Sequence, residues 1–346
     1  MLKGFSSGSY GSYPAPTLAL DINGNLFGST INGGDTTKNC NGTGCGVVFE
    51  LSETSSGSWN EAVLHTFSGG PDGGNPNGNL LVKPDGSVYG TTVRGGNDHN
   101  CTTKYVQGCG VVFKLSNSGA GWRETVLYTF TNAVGGNPNG GLVMDAAGNL
   151  YGTTEGGTPI LFELTPTASG PWTETTLVNF LDEGLGAPDS GLFMDAAGNI
   201  YGATAAGGGD CPLRGACGYV FELSPATGGG WNQTILHTFN AGSDFAYPFG
   251  VTMDSTGNLY GVAIYGYPSS TCGEYGCGGV FELSPSTGGT WTESILHVFT
   301  DGADGNPNGL SGVALDASGN IFGTAAAGGN TSNCGDGCGV IFEITK

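Results

Sequence analysis

Short runs in which apolar, β-branched and aromatic residues alternate with polar ones recur along the chain, bounded by Gly, Asn and Pro. Examples are Val47-Val48-Phe49-Glu50-Leu51 and Leu150-Tyr151-Gly152-Thr153-Thr154. A period of two residues predicts strands. No stretch sustains a 3.6-residue period, so almost no helix is expected.

The runs repeat in a fixed order. A turn glycine falls at Gly24, Gly86, Gly148, Gly198, Gly257 and Gly319, giving spacings of 62, 62, 50, 59 and 62 residues. Each unit reads as four strands. Strand A is typified by Gly141 to Asp145 and strand B by Leu150 to Thr154, joined by the tight turn Ala146-Ala147-Gly148-Asn149. Strand C is typified by Ile160 to Leu164, and strand D runs from about Trp172 to Phe180. Trp59, Trp122, Trp172, Trp231 and Trp291 mark the same place in five units. Four-stranded repeats without helices predict an all-β, six-bladed β-propeller of antiparallel blades. The expected repeats are 17–76, 77–138, 139–188, 189–248, 249–308 and 309–346, in one domain spanning 1–346. The last stops after strand C at Val340 to Ile344, and the chain opens on a D-type run, Leu2-Lys3-Gly4-Phe5. Residues 1–12 are therefore expected to supply strand D of the sixth blade and close the ring.

Composition narrows the setting. The 346 residues include 68 Gly, but 38% are hydrophobic, enough for a large core. Nine Lys plus Arg against 29 Asp plus Glu give a net charge of −20. That field repels phosphate backbones and anionic membrane surfaces, so nucleic acid is not expected, and with no apolar run near about 18 residues membrane insertion is not expected either. A glycan or a protein is the expected partner, and the oligomeric state stays open.

The run Asn149-Leu150-Tyr151-Gly152-Thr153-Thr154, then Gly156-Gly157 and Leu161-Phe162-Glu163-Leu164, closely resembles the GloVer tandem repeat of bacterial surface proteins, and does so across nearly the whole chain. The resemblance implies an extracellular or cell-surface setting and no particular activity. No leader or anchor segment is recognisable within the chain.

Ten cysteines fall in five close pairs, each in a B–C loop: Cys40/Cys45, Cys101/Cys109, Cys211/Cys217, Cys272/Cys277 and Cys334/Cys338. The third unit has a short loop, Glu155 to Pro159, and lacks both members together. Joint loss favours disulfides within each loop and an oxidising compartment. Paired zinc ligands are the rival reading, weakened by the variable spacing.

Candidate chemistry lies where the repeat is broken. The B–C loops and the "GNPNG" loops leading into strand A should share one face. At its channel mouth the units carry Asn32, Arg94, Glu155, Ala206, Tyr265 and Ala327, which packing did not make uniform. Glu155 in the short loop and Asp189, where the first two junctions have Asn77 and Asn139, would flank a notch between the third and fourth blades. Asn32, Arg94, Glu155, Asp189 and Tyr265 are the candidate ligand-binding residues, with Tyr247, Tyr267 and Tyr275 adding aromatic surface. His99 and Lys104 share the loop after Arg94. If the chain is an enzyme, Glu155 and Asp189 are the candidate catalytic pair.

Repeated polar residues suggest structural roles. His65, His237 and His297 occupy one strand-D position, and Glu50, Glu222 and Glu282 one strand-C position. Both change in the second unit, to Tyr128 and Lys114, which reads as a cross-strand pair. In the sixth, Glu343 would face Lys3. The Asp of "DAAGN" reads as a self-capping turn; no cofactor is expected, with calcium the one ion left open there. The leading expectation is a non-enzymatic propeller that binds through the loop face. The alternatives are a glycoside hydrolase or lyase, and a structural module of a surface assembly. Thiol titration of the denatured, non-reduced protein is expected to find no free thiol; a metal ion released on denaturation, with thiols appearing, would reverse the disulfide assignment.

Overall fold

The computed structural model describes residues 5, 8–37, 40, 42–96, 101, 108–131, 135–168, 170–181, 186, 188, 191–208, 217–241, 244–266, 272–273, 275–306, 312–329 and 339–346. It is all strand and turn, and the fold class is a six-bladed β-propeller of antiparallel blades. The chain divides into two compact units, Met1–Asn179 and Phe180–Lys346, each with three sheets.

In the first unit, blade one comprises β1 (Ser12–Pro14), β2 (Ala19–Leu20), β3 (Leu26–Asn32), β4 (Val47–Glu53) and β5 (Trp59–Thr66). Blade two comprises β6 (Leu81–Val82), β7 (Val88–Thr92), β8 (Val111–Asn117) and β9 (Trp122–Thr129). Blade three comprises β10 (Gly136–Met144), β11 (Leu150–Gly156), β12 (Ile160–Thr165) and β13 (Thr173–Asn179). In the second unit, blade four comprises β14 (Phe193–Met194), β15 (Ile200–Thr204), β16 (Tyr219–Pro225) and β17 (Trp231–Thr238). Blade five comprises β18 (Phe245–Met253), β19 (Leu259–Gly266), β20 (Gly279–Pro285) and β21 (Trp291–Val298). Blade six shows β22 (Val313–Leu315), β23 (Ile321–Ala325) and β24 (Val340–Ile344). Of the expected closing strand, Leu2 to Gly4 lie outside the described residues; the Phe5 ring sits 5.0 Å from that of Phe49.

One contact explains most of the repeated text. Strand B carries Gly28, Gly90, Gly152, Gly202, Gly261 and Gly323, opposite Phe49, Phe113, Phe162, Phe221, Phe281 and Phe342 of strand C. A Cβ at any of these glycines would come within 2.6 Å of the Phe ring, so the glycine is the recess in which the ring lies. The other side of the ring meets the strand-D phenylalanine of the preceding blade. Phe67 lies 5.2 Å from Phe113, Phe130 5.0 Å from Phe162, and Phe239 5.1 Å from Phe281, all edge to face. Such aromatic pairs add to area burial, and all six of these rings are essentially inaccessible.

The "GNPNG" segment is not everywhere a loop. In blade three this text is the first half of β10, pairing Gly136 with Gly156 and Pro138 with Thr154 before a bulge restores the register at Leu142. β18 does the same in blade five, and a bridge between Gly74 and Arg94 marks the equivalent place in blade two. The alternation is hidden because the residue before each Pro is left-handed: φ is 56° at Tyr13 and Asn75, 55° at Asn137 and 57° at Tyr247. That residue also meets the preceding blade. The amides of Asn75, Asn137 and Tyr247 donate to the carbonyls of Cys45, Cys109 and Cys217 at 2.7–2.8 Å.

The bridges Cys40–Cys45, Cys101–Cys109 and Cys272–Cys277 form as expected, Cys217 is also disulfide-bonded, and no described cysteine is free. Cys211, Cys334 and Cys338 lie outside the described residues. Gly152→Ala is expected to cost about 1–3 kcal/mol through overpacking against Phe162, read as a lower denaturation midpoint; an unchanged midpoint would mean that the ring does not need the recess.

Candidate functional site

Two residues singled out from the sequence, Asn32 and Arg94, line one cavity of about 360 Å³ in the first unit. Asn75, Asn77 and Asn139 complete its polar lining, with Ile31 and Val93 as its apolar wall. The strands set these positions through buried threonines at the end of strand B. The Thr30 hydroxyl donates to the Asn32 carbonyl at 2.9 Å and that of Thr92 to the Arg94 carbonyl at 2.8 Å. Each hydroxyl also accepts a backbone N–H from strand C, of Val47 and Val111, at 3.2 Å. Arg94 is further held by its two-way backbone bridge to Gly74.

The amides form two hydrogen-bonded groups. Asn75 Nδ2 donates to the Ile31 carbonyl at 2.7 Å and to Asn32 Oδ1 at 3.3 Å. Asn77 Nδ2 donates to Asn139 Oδ1 at 2.6 Å, and Asn139 Nδ2 donates to Glu155 Oε1. Glu155 on β11 is thereby tied to the cavity through Asn139. Asp189, His99, Lys104 and Tyr267 lie outside the described residues. Tyr265 belongs to the second unit, where its ring lies 5.2 Å from Tyr247 and 6.1 Å from Tyr275. The structure thus joins Asn32, Arg94 and Glu155. It adds Asn75, which sequence reasoning had passed over inside a repeated phrase, and gives Asn77 and Asn139 a direct place in the lining.

The expected Glu–His cross-strand pair does not form. Register places His65 opposite Val48 and Glu50 opposite Ala62, and a bulge between Val48 and Phe49 separates them. The glutamate's partner is the strand-B tyrosine instead. Tyr151 donates to Glu163 at 3.1 Å and Tyr201 to Glu222 at 3.1 Å, and each also reaches the turn aspartate, Asp145 or Asp195. In blade two the Lys114 ammonium lies 5.4 Å from the Tyr89 ring centroid. The histidine's partner is an aspartate seven residues on: His65 with Asp72, His237 with Asp244 and His297 with Asp304, at 3.2–3.5 Å. The signal was present, because where Tyr128 and Val178 replace the histidine, Gly135 and Leu185 stand seven residues on in place of the aspartate.

Two glutamates next to these pairs are perturbed. Burial pushes Glu124 up to about 7. Burial, reinforced by the neighbouring Asp244 carboxylate, pushes Glu293 up to about 8. Burial also works to raise Asp244, but hydrogen bonds, that with His237 foremost, outweigh it and hold the group below its ordinary value.

The "DAAGN" aspartates are occupied by their own turns. Asp145 Oδ1 accepts the Asn149 N–H and Oδ2 accepts Asn149 Nδ2, both at 2.8 Å, and Asp195, Asp254 and Asp316 repeat this. Those oxygens are committed as acceptors within the turn, which supports the turn over the calcium reading.

These features define a disulfide-stapled propeller with a polar cavity bounded by strand B and the start of strand A. The chain belongs to the Gloeobacter/Verrucomicrobia repeat family, whose model matches residues 1–211 and 159–346. No curated protein matches it. Among solved structures it resembles a streptogramin B lyase (16% identity, TM-score 0.53, covering 97% of this chain and 84% of that one). It also resembles a putative 6-phosphogluconolactonase from Bacteroides uniformis (12% identity, TM-score 0.53, 89% and 77%). A third likeness is to the hydrazine synthase of Kuenenia stuttgartiensis (14% identity, TM-score 0.54, 90% and 74%). At such identities the likeness is one of fold.

The turns make a pH prediction. For Asp254, burial acts to raise the pKa, but hydrogen bonds from Thr256, Asn258 and Tyr260 hold it well below the ordinary value of 3.8. Because the folded-state value is the lower one, the stabilisation is complete above 3.8 and is lost as pH falls below it. Acid unfolding followed by circular dichroism should therefore be shallower in Asp254→Asn; an unchanged profile would remove this turn from the acid transition.

Proposed function

We propose that the chain is a secreted or cell-surface propeller that binds a glycan in the first-unit cavity. The observation that carries this reading is the lining itself: four side-chain amides and one guanidinium over an apolar wall of Ile31 and Val93. Amides both donate and accept, which matches the paired donor and acceptor character of sugar hydroxyls. The fixed fork of Arg94 suits vicinal hydroxyls or a sugar carboxylate, and in a chain of net charge −20 it is a local cationic point within an acidic field. Glu155 supplies an acceptor at the margin through Asn139. The disulfides and the family are compatible with an extracellular location.

A glycan array probed with the purified protein tests this reading. Arg94→Ala and Asn139→Ala are expected to weaken a hit about 10- to 100-fold, the range for losing a hydrogen bond to a charged or amide group. Absence of any hit, or hits indifferent to both substitutions, would overturn it. Conversion of the hit into a new product, abolished by Glu155→Gln, would show an enzyme in its place.

A further inference from the structure

One histidine–aspartate pair adjoins a third potential ligand. In the second unit, His237 on β17 places Nε2 3.4 Å from Asp244 Oδ2 and 3.9 Å from Glu293 Oε2 of β21. One ligand atom from each residue lies within 4.8 Å of the other two. Asp244 is only 4% exposed, and its second oxygen accepts the Phe245 N–H at 2.6 Å. Glu293 Oε1 is buried without a hydrogen-bond partner. In the first unit His65 Nε2 lies 3.5 Å from Asp72 Oδ2, but among the described residues no third ligand atom is gathered as closely there.

Packing does not require these residues, since the second and third repeats lose His and Asp together, to Tyr128 with Gly135 and to Val178 with Leu185. Strand D carries Gln233 where its counterparts have Glu61, Glu124, Glu174 and Glu293, and it follows the repeat with Val178 in place of the histidine. A burial site for two carboxylates and an imidazole, with polar atoms left over, is incomplete by its own hydrogen bonding.

We propose that His237, Asp244 and Glu293 hold a divalent first-row transition cation of the zinc type, clasping neighbouring blades. One imidazole nitrogen and two carboxylate oxygens form an N/O donor set that such ions accept. Bonds of about 2.0–2.1 Å at tetrahedral angles put neighbouring ligand atoms about 3.3–3.4 Å apart, close to the His–Asp separations. Calcium fits worse, because it takes about six to eight oxygens. The cluster joins strand D of one blade to the segment just before the first strand, and to the last strand, of the next, so the ion would close a cross-link that hydrogen bonds leave open. His297 and Asp304 have no third ligand among the described residues and are not included.

The test is zinc binding by chelator-stripped, refilled full-length protein, with metal content measured after desalting and affinity by calorimetry. Wild type is expected to retain one zinc ion per chain. Glu293→Gln and Asp244→Asn, near-isosteric changes checked by circular dichroism, should each lose it, with affinity falling more than about tenfold. Asp145→Asn, in a turn outside the cluster, should keep it. X-ray absorption at the zinc edge of the wild type should show one nitrogen-type and two or more oxygen-type neighbours, which keeps the test decisive if a variant fails to fold. No saturable zinc uptake by folded wild type, unchanged stoichiometry in both folded variants, or sulfur in the zinc shell would overturn the proposal.

Discussion

The structure depends on a ring held between two strands and the next blade. A strand-C phenylalanine can lie flat across strand B only where strand B has no side chain, and it is secured from the far side by a strand-D phenylalanine of the blade before. Three short phrases of the repeat, those around the strand-B glycine, the strand-C phenylalanine and the strand-D phenylalanine, are parts of one contact. Because each ring serves both its own sheet and its neighbour, blade formation and blade docking are coupled. A cavity at any one ring would weaken two blades, and Phe-to-Ala losses in cores run to about 3–5 kcal/mol.

The disulfides act within this frame rather than beside it. Small rings restrain little unfolded chain, so their chain-entropy contribution is modest. Their position supplies another role: Cys45, Cys109 and Cys217, each the second cysteine of its loop, present their carbonyls to the N–H of the left-handed residue that opens the next blade. In the first unit that residue is Asn75 or Asn137. Asn75 itself lines the polar cavity, and Asn137 stands two positions before Asn139. Stiffening the loop therefore holds the cavity wall. A bridge in one blade and a recognition surface beginning in the next become mechanically one feature, which suits a rigid binding site built on pre-positioned groups.

The large acidic excess is distributed by repeat position. Turn aspartates accept from their own backbone, strand-C glutamates accept from strand-B tyrosines, and the aspartates before strand A face histidines. At one place two carboxylates converge on one imidazole, and there the strongly perturbed Glu293 marks where the chain's ordinary means of accommodating buried charge runs short.

Local patterning determined the class of fold. Alternation, turn glycines and a period near 60 residues dictate short antiparallel strands in four-stranded units, because each unit must bury its apolar face against the next. The loss of paired cysteines together likewise made their bonding legible. Asn32, Arg94 and Glu155 stood out because they break an otherwise uniform repeat. Tertiary structure decided what the repeat conceals. A bulge after Val48 turns His65 away from Glu50, and no residue type announces where a ladder will slip by one. A left-handed residue before proline disguises half of strand A as a loop. The meeting of Glu293 with His237 and Asp244 joins residues from adjacent blades, and such a distance exists only once the blades have packed.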